Sequence, residues 1–242
     1  MNRVCRGGLA LAAMVWLLSA GPAGAHGSAF IGGTSPADVF RELAVLFGAD
    51  AAFSARIDVV RESGTRPTLR QRLTYRLAPG RLRVDEDINE TTGMPGDGAR
   101  QKEKGIDLQT RIVQLEPPMT YMIFPNVTAY AAYADPSPAS VQVERSPLGE
   151  ETVDGVACLK HRILLKEAGE TAEVTLWTRK DDPRIPVKLH ETTHEETTAT
   201  FRDVKWETPP AAVFEVPKDY ARFDSVRKVL EANRPIKRAG AQ

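Results

Sequence analysis

Cysteine is scarce in this chain, which limits the covalent chemistry available to it. The sequence holds two cysteines, Cys5 and Cys158. Cys5 precedes the apolar part of an expected export signal, so the mature chain would keep one thiol and form no internal disulfide. Cys158 stands in an alternating strand pattern, which predicts a small buried residue rather than a reactive thiol.

A long hydrophobic run is also missing. The apolar stretch Leu9–Ser19 is well short of the ~20 residues that a membrane-spanning helix needs. Two arginines precede it, and residues 23–25 have the small-x-small pattern that a signal peptidase recognises. The sequence therefore predicts a signal peptide over residues 1–25, cleaved near Ala25. The mature protein is expected to be exported and periplasmic, without stable insertion in a membrane.

Neither sign of charge is in excess. The 32 Lys and Arg balance the 32 Asp and Glu, and loss of the two signal arginines would leave 30 against 32, a net charge of −2. Nucleic-acid-binding proteins carry a basic surplus, so nucleic acid is not an expected partner. No repeat divides the chain. We expect a flexible N-terminus over 26–34, one domain over 35–225, and the end of a C-terminal helix with a basic tail over 226–242.

What the chain does have is alternation of apolar and polar side chains in short segments. Turn residues such as Pro79-Gly80 separate these segments, and the pattern is typical of antiparallel strands with one dry and one wet face. The predicted strands are Ala52–Arg61, Thr68–Leu77, Arg81–Asp87, Asp107–Leu115, Thr120–Phe124 and four more between Val153 and Glu207. Val127–Tyr133 fits either a strand or a short helix.

Two helices are predicted beside the strands. Ser35 and Pro36 have the chemistry of a helix start, an apolar stripe follows at three- and four-residue steps, and Gly48 is a helix end. Apolar residues at helical spacing also predict an amphipathic helix over Asp219–Ala232. A helix of this kind would cover one face of the sheet.

Several spaced motifs resemble the LolA-like superfamily of bacterial envelope proteins. They are MTYMIFP at 119–125, VDGVACLKH at 153–161, TLWT at 175–178, IPVKL at 185–189, FRDVKW at 201–206 and FEVPKDY at 214–220. The Phe-x-x-Pro-x-x-Tyr ending after Asp-Val-x-Trp is the most specific of them. The resemblance implies a mostly β (α+β) fold: a curved, antiparallel, half-open β-barrel wrapped over one or two helices, as in LolA and LolB.

The resemblance also implies a function. Relatives use an apolar cavity to carry acyl chains of lipoproteins or to bind lipidic ligands, so we expect a non-enzymatic binding protein without a cofactor. Its partner would be an apolar ligand or a lipidated protein, and no catalytic residues carry over. Large aromatic side chains are the pocket candidates, although plain core packing accounts for each of them as well. They are Tyr121, Phe124, Trp177, Phe201 and Trp206.

One motif points to a different chemistry. Residues 190–194 read H-E-x-x-H, which on a helix places two imidazoles and a general base on one face around zinc. Here Pro183 and Pro186 precede the motif and β-branched threonines surround it, which favours a strand. In a strand, His190 and His194 would lie ~13 Å apart, too far to share one zinc ion. We predict a hairpin tip at Thr193–Glu196 and no metal site.

His26 is the other metal candidate. Cleavage after Ala25 would give it a free α-amine beside its imidazole, which together chelate copper. The neighbouring Gly27-Ser28 is flexible, whereas a working metal site needs ordered ligands and supports. Two alternatives to the binding protein stay open: a metal-dependent envelope enzyme using His190 and His194 or His26, and an envelope sensor that binds a polypeptide.

Overall fold

The computed structural model describes residues 46–64, 66–93, 101–115, 117–134, 142–167, 170–191 and 196–233. The expected signal peptide, the segment 26–34, most of the N-terminal helix and the C-terminal tail lie outside these ranges, as do His26 and His194. What the sequence predicts for these segments, and the division into domains, therefore stays a prediction. Within the described ranges, no helix is long and apolar enough to span a bilayer.

The described strands form one open sheet. In chain order they are β1 (Phe53–Ser63), β2 (Arg66–Ala78), β3 (Arg81–Asp87), β4 (Leu108–Leu115), β5 (Pro118–Phe124), β6 (Ala129–Ala134), β7 (Gln142–Val153), β8 (Val156–Glu167), β9 (Glu170–Arg179), β10 (Pro186–Glu191), β11 (Glu196–Lys205) and β12 (Ala221–Phe223). Their order across the sheet is β12-β6-β5-β4-β3-β2-β1-β11-β10-β9-β8-β7. All neighbours are antiparallel except β12, which runs parallel to β6. The prediction of a mostly β fold built on an open antiparallel sheet is confirmed.

Alternation along the strands gives the sheet two different faces. Ile57 of β1 pairs with Leu73 of β2 on one side and with Phe201 of β11 on the other, and all three side chains are buried on the same face. We call this the inner face, because it carries the largest apolar cluster. The opposite, outer face carries exposed charged residues along β1 and β2, such as Arg56 and Arg72.

The chain after β11 crosses the outer face. Its short 3-10 turn (Ala211–Phe214) places Phe214 against Ile112 and Ile123, and Arg83 Nη1 donates a hydrogen bond to the Val213 carbonyl at 2.8 Å. We call residues 207–220 the outer strap. It leads to β12 at the far end of the sheet.

The C-terminal helix (Val226–Ala232) then packs on the inner face. Val229 and Leu230 are buried against Met122 and Phe124 of β5. The strap and this helix therefore hold the β6 end of the sheet from opposite sides.

The structure corrects the predicted C-terminal helix, which was expected over Asp219–Ala232. Residues 221–223 instead form β12, and the helix begins after Ser225, whose side chain accepts a hydrogen bond from the Lys228 backbone amide. Pairing with β6 competes with helix formation here, and the Ser225 cap fixes the later start. The segment 127–133, predicted as strand or helix, is mainly strand.

The strand β7 was not predicted as part of the sheet. It pairs with β8 alone and is exposed along nearly its whole length, so no apolar alternation marks it. The N-terminal helix prediction is confirmed where it is described: residues 46–47 are helical, and Gly48 ends the helix with a φ of 100°.

Candidate functional site: the inner face of the sheet

The inner face carries a continuous apolar cluster. Its buried side chains come from β1 to β4 and β8 to β11, and Leu46 from the N-terminal helix joins them. Representative members are Ile57, Leu73, Leu176 and Leu189, each no more than 2% exposed. This main cluster exists because every second residue of neighbouring strands is apolar and the strand register aligns those residues.

Aromatic rings gather at one part of the main cluster. Phe47 meets Phe53 edge to face, with ring centroids 5.4 Å apart, and it meets Phe201 at 6.2 Å. Phe53 stacks on Trp206 with centroids 5.3 Å apart and planes at 12°. Such offset and edge-on pairs contribute beyond their buried area. The end of the N-terminal helix therefore packs against a group of aromatic side chains.

A second apolar cluster lies under the C-terminal helix. It combines Phe124 and Met122 of β5 with Val229 and Leu230 of the helix. Phe124 is 1% exposed, so in this structure the helix covers that part of the inner face.

Polar side chains are buried between the two apolar clusters. We call this group the inner polar cluster; its members are Gln71, Tyr75, Glu86, Gln109 and Arg111. Gln71 Nε2 donates to Glu86 Oε1 at 2.8 Å, and Gln109 Nε2 donates to the Ile106 carbonyl at 3.1 Å. Arg111 Nε points at the sulfur of Met122, 3.0 Å away.

Burial dominates the acid–base properties of this cluster. It raises the pKa of Glu86 to about 7, although the hydrogen bond from Gln71 and the charge of Arg111 oppose the rise. Burial likewise lowers the pKa of Arg111 and raises that of Tyr75. A buried carboxyl that keeps its proton near neutral pH is a weak counter-charge for the arginine beside it.

The five predicted pocket residues do not gather around one cavity. Phe201 and Trp206 lie together at the main cluster, and Phe124 lies under the C-terminal helix. Tyr121 and Trp177 lie on the outer face, because they alternate with Met122 and Leu176 of the inner face.

Both outer-face aromatics have local roles. Trp177 lies between Lys160 and Lys188, whose Nζ atoms are 5.0 and 5.1 Å from the ring centroid. Its Nε1 donates to Glu151 Oε2 at 3.0 Å, and the bonds from Lys160 and Trp177 lower the pKa of Glu151. Tyr121 packs with Tyr130 beneath the outer strap.

The two histidines within the described ranges lie on opposite faces. His190 lies in β10 on the outer face, where Nδ1 is 3.1 Å from Thr198 Oγ1, so the first half of the H-E-x-x-H motif is a strand as predicted. His161 of β8 lies on the inner face, and burial and the charge of Arg145 lower its pKa. Within the described ranges, no three His, Cys, Asp or Glu side chains are grouped as metal ligands.

A groove of about 410 Å³ opens mainly on the outer face of β2 to β4. Asp85 is its central acid. Burial alone would raise the pKa of Asp85, but hydrogen bonds from Arg83 and Thr110 and the charge of Arg76 hold it below its usual value. Arg76 and Arg83 both pair with Asp85, so this carboxylate is already neutralised within the groove.

Comparisons with known proteins give no match by sequence: no family model and no curated protein matches the chain. Among solved structures, it is similar to a LolA superfamily protein from Nitrosomonas europaea at 10% identity, covering 69% of this chain and 90% of that one, with a TM-score of 0.34. The lipoprotein LppX from Mycobacterium tuberculosis is similar at 12% identity, covering 76% of this chain and 100% of that one, with a TM-score of 0.37.

A third structure is a putative outer membrane lipoprotein-sorting protein domain from Vibrio parahaemolyticus. It is 12% identical, covers 80% of this chain and 97% of that one, and has a TM-score of 0.33. The protein from Nitrosomonas europaea carries the family name that the sequence motifs suggested.

Sequence reasoning did not find the inner polar cluster. Arg111 lies within LQTRIVQL, where Ile112 and Val113 are both apolar, so the segment does not alternate. The available signal was the position of Arg111, two residues from Val113 and therefore on the same face as an apolar residue.

Proposed function

We propose that this protein is an exported, non-enzymatic binding protein that holds an apolar ligand against the inner face of its sheet. The ligand class is a lipid or the acyl chain of a lipidated protein. One observation carries the proposal: the main cluster runs continuously over β1 to β4 and β8 to β11 of a single open sheet. In the described part of the chain, the segments that pack on this face are the helix end at 46–47 and the C-terminal helix.

The energetics of this face suit an acyl chain. Each buried CH₂ group gains about 0.8 kcal/mol on leaving water, so ten of them gain about 8 kcal/mol before the costs of association. An apolar wall supplies this without fixed polar partners. We assign Phe201 and Trp206 to that wall. Phe124 belongs to the same face, at the place that the C-terminal helix covers.

Native mass spectrometry tests the proposal directly. The protein would be exported to a bacterial periplasm, purified without detergent, weighed intact, and then extracted with organic solvent. We expect an added mass that extracts as a lipid or an acylated peptide. A bare mass, together with failure to take up an added fatty acid or its methyl ester, would contradict the proposal.

A pair of matched aromatic truncations locates the ligand. Phe201→Ala removes an inner-face ring, whereas Tyr121→Ala removes an outer-face ring of similar size. We expect at least a several-fold loss of co-purifying lipid in the first variant and none in the second, with circular dichroism confirming that both fold. Equal lipid content in the two folded variants would place the ligand elsewhere.

A further inference from the structure

Arg111 is a buried cation with an unusual set of neighbours. Its side chain lies on the inner face of β4, the residue is 7% exposed, and its Nε points at the thioether sulfur of Met122. Sulfur is a weak hydrogen-bond acceptor. Among the described residues, no carboxylate oxygen forms an ion pair with Arg111 within 4.0 Å.

A charge in this position is costly unless an anion accompanies it. Removing a guanidinium from water without a paired counter-charge costs several kcal/mol. The nearest acid of the inner polar cluster is Glu86, and its pKa of about 7 leaves much of it protonated at neutral pH. Among the described residues, negative charge is therefore scarce around Arg111.

Unused hydrogen-bonding atoms lie on the same face. Thr120 of β5 is 0% exposed, and its Oγ1 has no hydrogen-bond partner; Gln71 Oε1 is likewise buried without one. Thr120 pairs with Val113, two residues along β4 from Arg111. Buried polar groups are normally bonded, so these two atoms have unused capacity for a hydrogen bond.

The position of Arg111 relates it to the apolar surfaces. Tyr75, Val84, Arg111 and Met122 pair in one row across β2 to β5. Val84 belongs to the main cluster and Met122 to the cluster under the C-terminal helix. A molecule lying along the main cluster would thus present one end to Arg111.

We propose that Arg111, with Thr120 and the inner polar cluster, is a subsite for the anionic head group, a carboxylate or a phosphate, of a single-chain amphiphile whose tail lies along the main cluster. The proposal rests on the proposed function, since it names the class of apolar ligand. An ion pair that forms in an interior shielded from water raises the affinity for a charged head group by about tenfold or more over that for a neutral one.

Equilibrium binding of three ligands with the same chain length tests the subsite. They are hexadecanoate, its methyl ester and hexadecyl phosphate, each titrated into delipidated protein at pH 6, below the pKa of Glu86. We expect the better of the two anions to bind at least about tenfold more tightly than the ester. The comparison of the two anions identifies the head group. Equal affinity for the ester and both anions would overturn the subsite while leaving the proposed function intact, and no binding of any ligand would overturn both.

Variants then assign the preference to Arg111. Arg111→Met removes the charge at similar length, Arg111→Lys keeps a charge, and Arg72→Met is the control on the outer face. We expect the methionine variant to bind the ester normally and to lose the preference for the anion, while the lysine variant keeps part of it. Unchanged preference in folded Arg111→Met would overturn the assignment. If that variant does not fold, Arg111→Lys is compared with Arg72→Met instead. A weaker preference for the anion in Arg111→Lys supports the assignment, and an unchanged preference overturns it.

Discussion

Glu86 shows how a single buried carboxyl links this sheet to pH. Burial raises its pKa to about 7 from a value of 4.5. The folded chain therefore binds a proton that the unfolded chain releases between these two pH values. Stability falls as pH rises through this window and levels off above it, because the ionised carboxylate is the form that burial disfavours.

Replacing Glu86 with glutamine removes this dependence, since glutamine resembles the protonated acid. The pKa difference corresponds to about 3 kcal/mol of unfolding free energy as an upper limit. We expect Glu86→Gln to be more stable than the parent at pH 8, and to differ much less at pH 4.5. Urea unfolding at the two pH values measures this, with the exposed Glu207→Gln as control. The same difference at both pH values would mean that Glu86 does not titrate as described.

At the level of single residues, alternation was readable only where one face of a strand is wet. In β3, buried and partly exposed residues alternate strictly, and the predicted bounds Arg81–Asp87 are exact. In β4, residues 109–113 are all buried, because the outer strap covers the face that would otherwise meet water. The sequence there loses its period, and the inward position of Arg111 could not be recognised.

Among the elements, the C-terminal helix owes its existence to packing. It has seven residues, too few to be stable by itself in water. Val229 and Leu230 anchor it to β5 and β6, and Ser225 caps its start. Pattern reasoning found its apolar side chains but not its first turn, since β12 forms only when β6 is in place.

Truncating the Leu230 side chain should therefore weaken the attachment of the C-terminal helix to the sheet. We expect Leu230→Ala to lower the unfolding free energy by about 2–4 kcal/mol, because it removes buried contacts with β5. The control Arg227→Ala lies on the exposed side of the same helix and should change it by no more than about 0.5 kcal/mol. Chemical denaturation of both variants measures the two values. Equal small losses would mean that the helix contributes little to the fold.

The strand β7 shows what an edge does to a sequence. Pro147 and Gly149 flank a register shift in its pairing with β8, and glutamates lie along it. Such features discourage pairing with another chain. They also remove every pattern by which a strand is recognised, which explains why no separate strand was predicted over 142–153, whereas the four strands predicted between Val153 and Glu207 correspond to β8 to β11.

For the whole molecule, the two ends of the sheet are held differently. The β6 end is enclosed by the outer strap on one face and by the C-terminal helix on the other, and β12 pairs with β6. The β7 end has β8 as its one described neighbour in the sheet. β6 and β7 both lie at or next to an end of the sheet, but β6 is held by more neighbouring segments than β7.

This asymmetry gives local opening a direction. Amide hydrogen exchange should be fast in β7 and progressively slower through β8 and β9, whereas amides of β6 should exchange as slowly as those of the central strands. Exchange followed by mass spectrometry of peptic fragments distinguishes the strands, and equally fast exchange in β6 and β7 would contradict the expectation. A protein built this way frays from one side, so partial loss of its strands would expose the main cluster from the β7 end while the opposite end stays closed.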